Sequence, residues 1–250
     1  MLAVRILGCS GSYAAAGGAC TGYLVQSSDT NVWLDCGPGT LANLHEWSSL
    51  ADLDAIVLTH AHPDHWLELP IVANALEWYE PRDRLPVFSN AHMFAEAREL
   101  IGQSISTVFD WKVVDTTETV TVGSQQWRFA ETDHYVPTYA TRIDADGSSL
   151  VFSSDTGPSF SLQGFVDRAG PIDMALLEST FLDRVGNEGI LHLSATEAGE
   201  MASAAGAARL VLTHQAPREE RSAHIEAASA VFAGPVALAE VGGQYAAAGD

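Results

Sequence analysis

The chain has 250 residues, 47% hydrophobic and only 18% charged, and its 32 acidic against 12 basic side chains give a formal net charge of −20. That composition excludes a disordered chain and supports a buried core. The acidic surface repels polyanions, which disfavours electrostatic binding of nucleic acid or of anionic membranes.

Lys112 is the single lysine, so the other basic groups are arginines. Cys9, Cys20 and Cys36 are sparse and lack C-x-x-C spacing, so neither a disulfide framework nor a zinc knuckle is expected. The opening residues lack a signal-peptide pattern, and no apolar run approaches the roughly 20 residues of a spanning helix. A soluble, cytoplasmic protein is expected.

In chain order, residues 3–7 alternate and are rich in branched side chains, then break into Gly8-Cys9-Ser10-Gly11-Ser12, which predicts a strand running into a glycine loop. Residues 23–26 and 31–35 read as hairpin arms. Gly37-Pro38-Gly39 ends the second and opens a helix to about residue 50. The apolar run 55–59 reads as a strand buried on both faces, followed by helices over 67–79 and 92–103. Short strands follow at 120–122, 127–132, 138–143 and 150–152, with Asp144–Gly147 as a hairpin turn, and another at 174–178. Ser194 and Glu197 form a capping box that opens an alanine-rich helix to about residue 208. Then come a strand at 210–213, a helix over 223–232, a strand at 236–240 and a frayed tail over 246–250. No linker divides the chain, so a single domain over 1–250 is expected. Strands and helices mix in both halves, which suits two sheets packed face to face and flanked by helices. Val57-Leu58-Thr59-His60 recurs as Val211-Leu212-Thr213-His214, so each half delivers a histidine at the end of a buried strand.

The segment His60-Ala61-His62-Pro63-Asp64-His65 gathers three imidazoles and a carboxylate beyond one of those strands. Neutral imidazole nitrogen with carboxylate oxygen suits zinc, manganese or iron. In an extended turn His60 and His62 point the same way and can chelate one ion, while Asp64 and His65 reach a second. A polar loop with chance histidines is improbable at this density.

Positions 60–65 resemble the H-x-H-x-D-H signature of the metallo-β-lactamase superfamily. The resemblance spans about residues 2–240 and implies an α/β fold, an αβ/βα sandwich of two mixed sheets, with a two-ion site at one edge. It also implies His134, Asp155 and His214 as the remaining ligands in chain order. One ion would then sit on His60, His62 and His134, and the other on Asp64, His65 and His214. Asp155 and a water or hydroxide would bridge them, with Asp64 also orienting that nucleophile. Ser154 stands where the family's S-G-D-T segment has glycine.

Aspartate at 155 rather than cysteine weakens a β-lactamase reading. The 36 residues after His214 are too few for the helical domain of glyoxalase II, and His62 stands where the oxygen-reducing branch has glutamate. His192-Leu193-Ser194-Ala195-Thr196-Glu197-Ala198, Leu177-Glu178-Ser179-Thr180-Phe181 and Leu7-Gly8-Cys9-Ser10-Gly11-Ser12 are similar to segments of the ribonuclease Z-like phosphodiesterases. The resemblance implies His192 as acid or charge stabiliser, with Glu178 hydrogen-bonded to it; histidine suits the task because it titrates near neutrality. The tRNA-processing members carry a basic arm between the ligands matching His134 and Asp155. Here only 21 positions separate them, filled in part by Asp144-Ala145-Asp146-Gly147. A small phosphodiester, such as a cyclic nucleotide or cyclic sugar phosphate, is therefore the expected substrate. The alternatives are a tRNA 3′-processing nuclease, a lactone or acyl hydrolase, and an inert metal-binding scaffold. Many members dimerise, but no interface is readable here.

His45, His92 and His224 lie outside every motif and are expected at surfaces or caps. Asp35 either caps a helix or supports the ligand loop. Trp66, Trp78 and Tyr79 either wall the substrate pocket or pack in the core. Cys9 and Cys36 are expected to pack as small residues.

Overall fold

The computed structural model describes residues 1–248. Alternation along each strand sorts side chains into two environments, and this sorting sets the architecture. Strands β1 (Ala3–Gly8), β2 (Gly22–Gln26), β3 (Asn31–Cys36), β4 (Ala55–Leu58), β5 (Leu85–Ser89) and β6 (Phe109–Val113) build the first sheet. Strands β7 (Thr119–Val122), β8 (Gln125–Glu131), β9 (Tyr139–Ala145), β10 (Ser148–Phe152), β11 (Met174–Glu178), β12 (Arg209–Thr213) and β13 (Val236–Leu238) build the second. The last strand, β14 (Gln244–Ala246), returns to pair antiparallel with β1 at the edge of the first sheet. Both sheets are mixed: β3 to β6 and β10 to β13 run parallel, and the remaining neighbours antiparallel.

Val4, Ile6, Val57, Phe152, Leu176 and Val211 point between the sheets, and Trp127 and Phe129 join them there. Their neighbours Leu7, Ile56 and Leu58 turn outward against α3 (Leu69–Trp78) and α4 (Ala91–Ile101). On the other side Val151, Leu177, Leu210 and Leu212 pack against α6 (Gln163–Ala169) and α7 (Ala195–Ala204). Each fully buried aliphatic or aromatic side chain contributes about 1.5–3 kcal/mol. The outcome is the expected αβ/βα layering of two mixed sheets flanked by helices. The central parallel strands are covered on both faces, so they read as unbroken apolar runs.

Several boundaries differ from expectation. The helix after Gly39 is only one turn, α1 (Thr40–Leu44), followed by a 3₁₀ turn at Leu50–Asp52. Strands β5 and β6 were not expected. Pro86 interrupts the first, which pairs in parallel all the same, and Asp110 and Lys112 mask the second. Helices α5 (Ser104–Val108) and α6 were likewise missed, being short and weakly patterned. The tail is ordered further than expected: Ala246 pairs with Ala3, and the Ala247 amide donates to the Leu2 carbonyl, leaving Ala247 buried. Positions 249–250 of that expected tail lie outside the described residues. Among the described residues no helix is long and apolar enough to cross a membrane.

The Val-Leu-Thr-His repeat occupies different positions in the two sheets. Strand β4 is the first parallel strand beyond the antiparallel set, and β12 is the second, so the repeat reflects a shared local demand rather than equivalent topology.

Candidate metal centre

Parallel strands end together at one edge of the two sheets, and the loops there carry the polar residues, as is common in mixed and parallel sheets. His60 follows β4, His134 follows β8, Asp155 follows β10 and His214 follows β12. Pro63 opens a single-turn helix, α2 (Pro63–Trp66), whose N-cap is His62. The turn sends Asp64 and His65 away from His62, so one hexapeptide faces two places.

All seven residues expected as ligands converge. His60, His62, His134 and Asp155 form one group, and Asp64, His65 and His214 a second, each with donor atoms within 4.8 Å of one another. Nδ1 of His62 and Nε2 of His134 stand 3.0 Å apart. Nε2 of His65 lies 3.2 Å from Nε2 of His214, which is 3.3 Å from Asp64 Oδ2. Asp155 faces both groups. Its Oδ1 is 3.2 Å from His65 and 3.3 Å from His214, and its Oδ2 is 3.6 Å from His60 and 3.8 Å from His134.

The outer nitrogens fix the tautomers. His65 Nδ1 donates to Asp35 Oδ2 at 2.8 Å. His60 Nδ1 donates to Thr59 Oγ1 at 3.0 Å, since that hydroxyl gives its own proton to Asp35 Oδ2. His214 Nδ1 donates to Thr180 Oγ1 at 2.9 Å, whose proton goes to Glu178 Oε2. His134 Nδ1 donates to the Leu191 carbonyl at 3.0 Å. Four imidazoles therefore turn Nε2 inward, a bare lone pair in each neutral ring. His60 Nε2 and Asp155 Oδ1 are buried with no hydrogen-bond partner at all. Lone pairs aimed at each other beside two carboxylates repel unless cations sit between them, so the donor set fits metal ions.

The same crowding perturbs protonation. Burial pushes His60 well below its ordinary value and lowers His62 and His134. Against a burial effect of opposite sign, Asp155, Asp64 and Asp35 raise His65 well above its ordinary value. Burial would raise Asp155, but His214 and His65 hold it well below the carboxylate range; His65 and His214 do the same for Asp64.

His192 stands beside the centre, its ring stacked on His214 at 5.5 Å and its side chain 12% exposed. Asp155, His192 and His214 also form a compact trio. Within that trio His192 Nδ1, the nitrogen 3.9 Å from Asp155 Oδ2, is held by Glu178 Oε1 at 3.0 Å. Burial opposes its protonation, yet the Glu178 carboxylate raises it to about 9. Glu178, fully buried, also accepts the Thr156 amide at 2.7 Å beside Asp155.

Asp35 supports the ligand loop rather than capping a helix; the cap of α1 is Gly39, without a side-chain bond. Thr180, quoted above only as part of a motif, and Arg184 were missed. The Arg184 guanidinium donates to the carbonyls of Asn187, Ile190 and His192 and to Glu197, pinning the loop that carries Leu191 and His192. Arg184 bonds mainly to backbone carbonyls of its own irregular loop, and Thr180 reaches His214 from 34 positions away, so no residue spacing reveals either role.

Trp66 is buried and donates to the Ala61 carbonyl. Trp78 and Tyr79 are exposed rather than packed in the core, and the hollow of about 410 Å³ that Trp78 lines with Leu100 and Ile101 includes none of the seven candidate ligands. Cys9 and Cys36 are buried as expected. His224 corrects the expectation of a surface or cap role: it is fully buried, with Nδ1 3.3 Å from Ser179 Oγ.

Gly37 approaches the ligand helix closely, because a Cβ there would lie 2.0 Å from the Asp64 carbonyl oxygen. Replacing Gly37 by alanine is expected to destabilise the protein by about 1–3 kcal/mol. Calorimetry with and without metal would show the loss, larger in the loaded protein because Asp64 moves.

The family description that matches residues 30–215 is "Beta-lactamase superfamily domain". The probable metallo-hydrolase YhfI of Bacillus subtilis is 28% identical over 243 residues, covering 96% of this chain and 97% of its own length. Its crystal structure superposes with a TM-score of 0.86, covering 98% of each chain at 26% identity. The ribonuclease Z of Methanopyrus kandleri is 27% identical over 263 residues, covering 92% of this chain and 93% of its own. A diphosphatase of the PhnP family superposes with a TM-score of 0.78 at 18% identity, covering 98% of this chain and 97% of its own, a likeness of fold. Fold, donor set and relatives agree: the chain belongs to the metallo-beta-lactamase superfamily and is a metal-dependent hydrolase.

Proposed function

We propose that this hydrolase is a phosphodiesterase acting on a small diester, cyclic or nucleotide-derived, at a centre of two divalent ions. The observation that carries the reading is His192: a histidine held by a buried carboxylate at the rim of seven converging donors. The nitrogen–oxygen donor set, free of sulfur, suits zinc, with manganese or iron as alternatives. When bound, the ions supply a water acidified toward neutral pH and positive charge for the phosphoryl oxygens.

The chain's own residues do the rest. Asp64, its Oδ2 accepting the Ser12 amide at 2.8 Å, is oriented to hold the proton side of the attacking water. His192, protonated through Glu178, donates from Nε2 to the departing alkoxide. A small substrate is supported by what stands between His134 and Asp155: β9, β10 and a tight turn occupy that stretch, with no projecting arm. Three free, buried cysteines fit a reducing compartment such as the cytoplasm.

The test is a panel offered to the metal-loaded protein: bis(p-nitrophenyl) phosphate, cyclic nucleotides, a lactone and precursor tRNA. Turnover of the small diesters with weak salt dependence is expected. Lactone or ester turnover alone would sink the reading, as would tRNA cleavage that falls steeply with salt.

A further inference from the structure

Ser154, the residue before Asp155, is where the ligand segments depart from the pattern they resemble. Its φ is +52°, a region that costs any side chain free energy which glycine escapes, and it is fully buried. The hydroxyl is placed to a purpose. It donates to Thr59 Oγ1 at 2.8 Å and lies 3.4 Å from His60 Nδ1. Thr59 thus receives two protons, from Ser154 and from His60, and passes its own to Asp35. Strand β10 belongs to the second sheet and β4 to the first, so this bond ties the loop carrying Asp155 to the loop carrying His60 directly behind the centre.

We infer that Ser154 is a positioning residue whose hydroxyl, through Thr59, fixes the His60 ring and its separation from Asp155, and so tightens the ion held by His60, His62 and His134. Removing the hydroxyl leaves a buried acceptor of Thr59 short of a partner and a gap beside the imidazole. The ring can then tilt, and the 3.6 Å between His60 Nε2 and Asp155 Oδ2 is no longer enforced. The inference rests on the two-ion reading of the centre but not on the substrate.

Ser154→Gly and Ser154→Ala separate hydroxyl from backbone. Zinc affinity is measured by competition with a chromophoric chelator, cobalt substitution reports the ligand field, and melting is recorded without metal. Both variants are expected to bind one of the two ions roughly ten-fold more weakly, at the low end for residues that orient ligands. The cobalt spectrum should shift in both. Metal-free Ser154→Gly should melt at or above Ser154→Ala, because only the alanine keeps the strained side chain. Equal affinities in wild type and both variants overturn the role of Ser154 and leave the centre standing. A loss confined to alanine assigns the effect to the backbone and overturns it too. Wild-type protein that takes up no zinc overturns the centre and the inference together.

Discussion

Asp155→Ala is expected to purify with less than half the metal of the wild-type protein and to lose turnover by about a thousand-fold or more. Asp155 turns one oxygen to each group of donors. Its removal unlinks the two ion positions and takes a negative charge from between them. Several kcal/mol of charge stabilisation depend on both ions, and about 4 kcal/mol corresponds to the stated factor. Elemental analysis and a diesterase assay check it, and Asp155→Asn should fail as badly although the side chain keeps its size. Metal-free protein offers a second readout. His214 and His65 hold the Asp155 carboxyl well below its ordinary range against the effect of burial. A carboxylate lowered on folding contributes stability that is present above its unfolded pKa, about 3.9, and lost as the pH falls below it. The alanine variant should therefore melt lower than wild type at neutral pH, with the gap closing in acid. A variant that keeps both metals and its activity would remove Asp155 from the bridging position.

The centre was legible in the sequence to the extent that its donors were contiguous or stood at strand ends. His60, His62, Asp64 and His65 lie within one hexapeptide beyond an apolar run, and a buried strand has no use for such polarity unless something binds it. His134, Asp155 and His214 followed from family resemblance, since nothing in their spacing joins them. The groups that hold the imidazoles were largely invisible. Asp35 is 30 positions from His65, Thr180 is 34 from His214, and for His134 the partner is a backbone carbonyl, for which no residue type could have signalled. In the fold, strands covered on both faces were clear, whereas β5, β6 and β14 were not. They pair through backbone atoms, and their side chains carry proline, opposed charges or polar groups that blur a period of two. The charge of −20 located nothing, yet it bears on the site. In so acidic a chain, ions held at this centre would be the local positive field for the proposed phosphodiester.

His192→Ala should behave in the opposite way to Asp155→Ala, keeping both metals while turnover of a diester with a poor leaving group falls by about a hundred- to ten-thousand-fold. The difference follows from what His192 touches. Its Nδ1 is bound to Glu178, so no metal–ligand bond is lost with the ring, and Nε2 is the nitrogen left to donate. Bis(p-nitrophenyl) phosphate, whose leaving group needs less help, should suffer less than an alkyl diester, and kcat should fall more than KM changes. The pH profile separates an acid from a packing residue. Burial opposes protonation of His192, but the Glu178 charge and hydrogen bond raise it to about 9 in metal-free protein. Bound cations oppose the added proton, so the alkaline limb of the loaded enzyme lies below that value and should be absent from His192→Ala. Stability carries the matching sign. A histidine raised on folding contributes stability that is complete below its unfolded pKa, about 6.5, and lost as the pH rises through the folded value. In metal-free protein the gap in melting temperature between wild type and His192→Ala should thus be widest in mildly acidic buffer and shrink toward pH 9. Glu178→Gln should erase most of that pH dependence while the imidazole remains, since the carboxylate is what raises it. Unchanged turnover in His192→Ala would leave the proton for the departing oxygen to come from elsewhere and would withdraw the acid role from this residue.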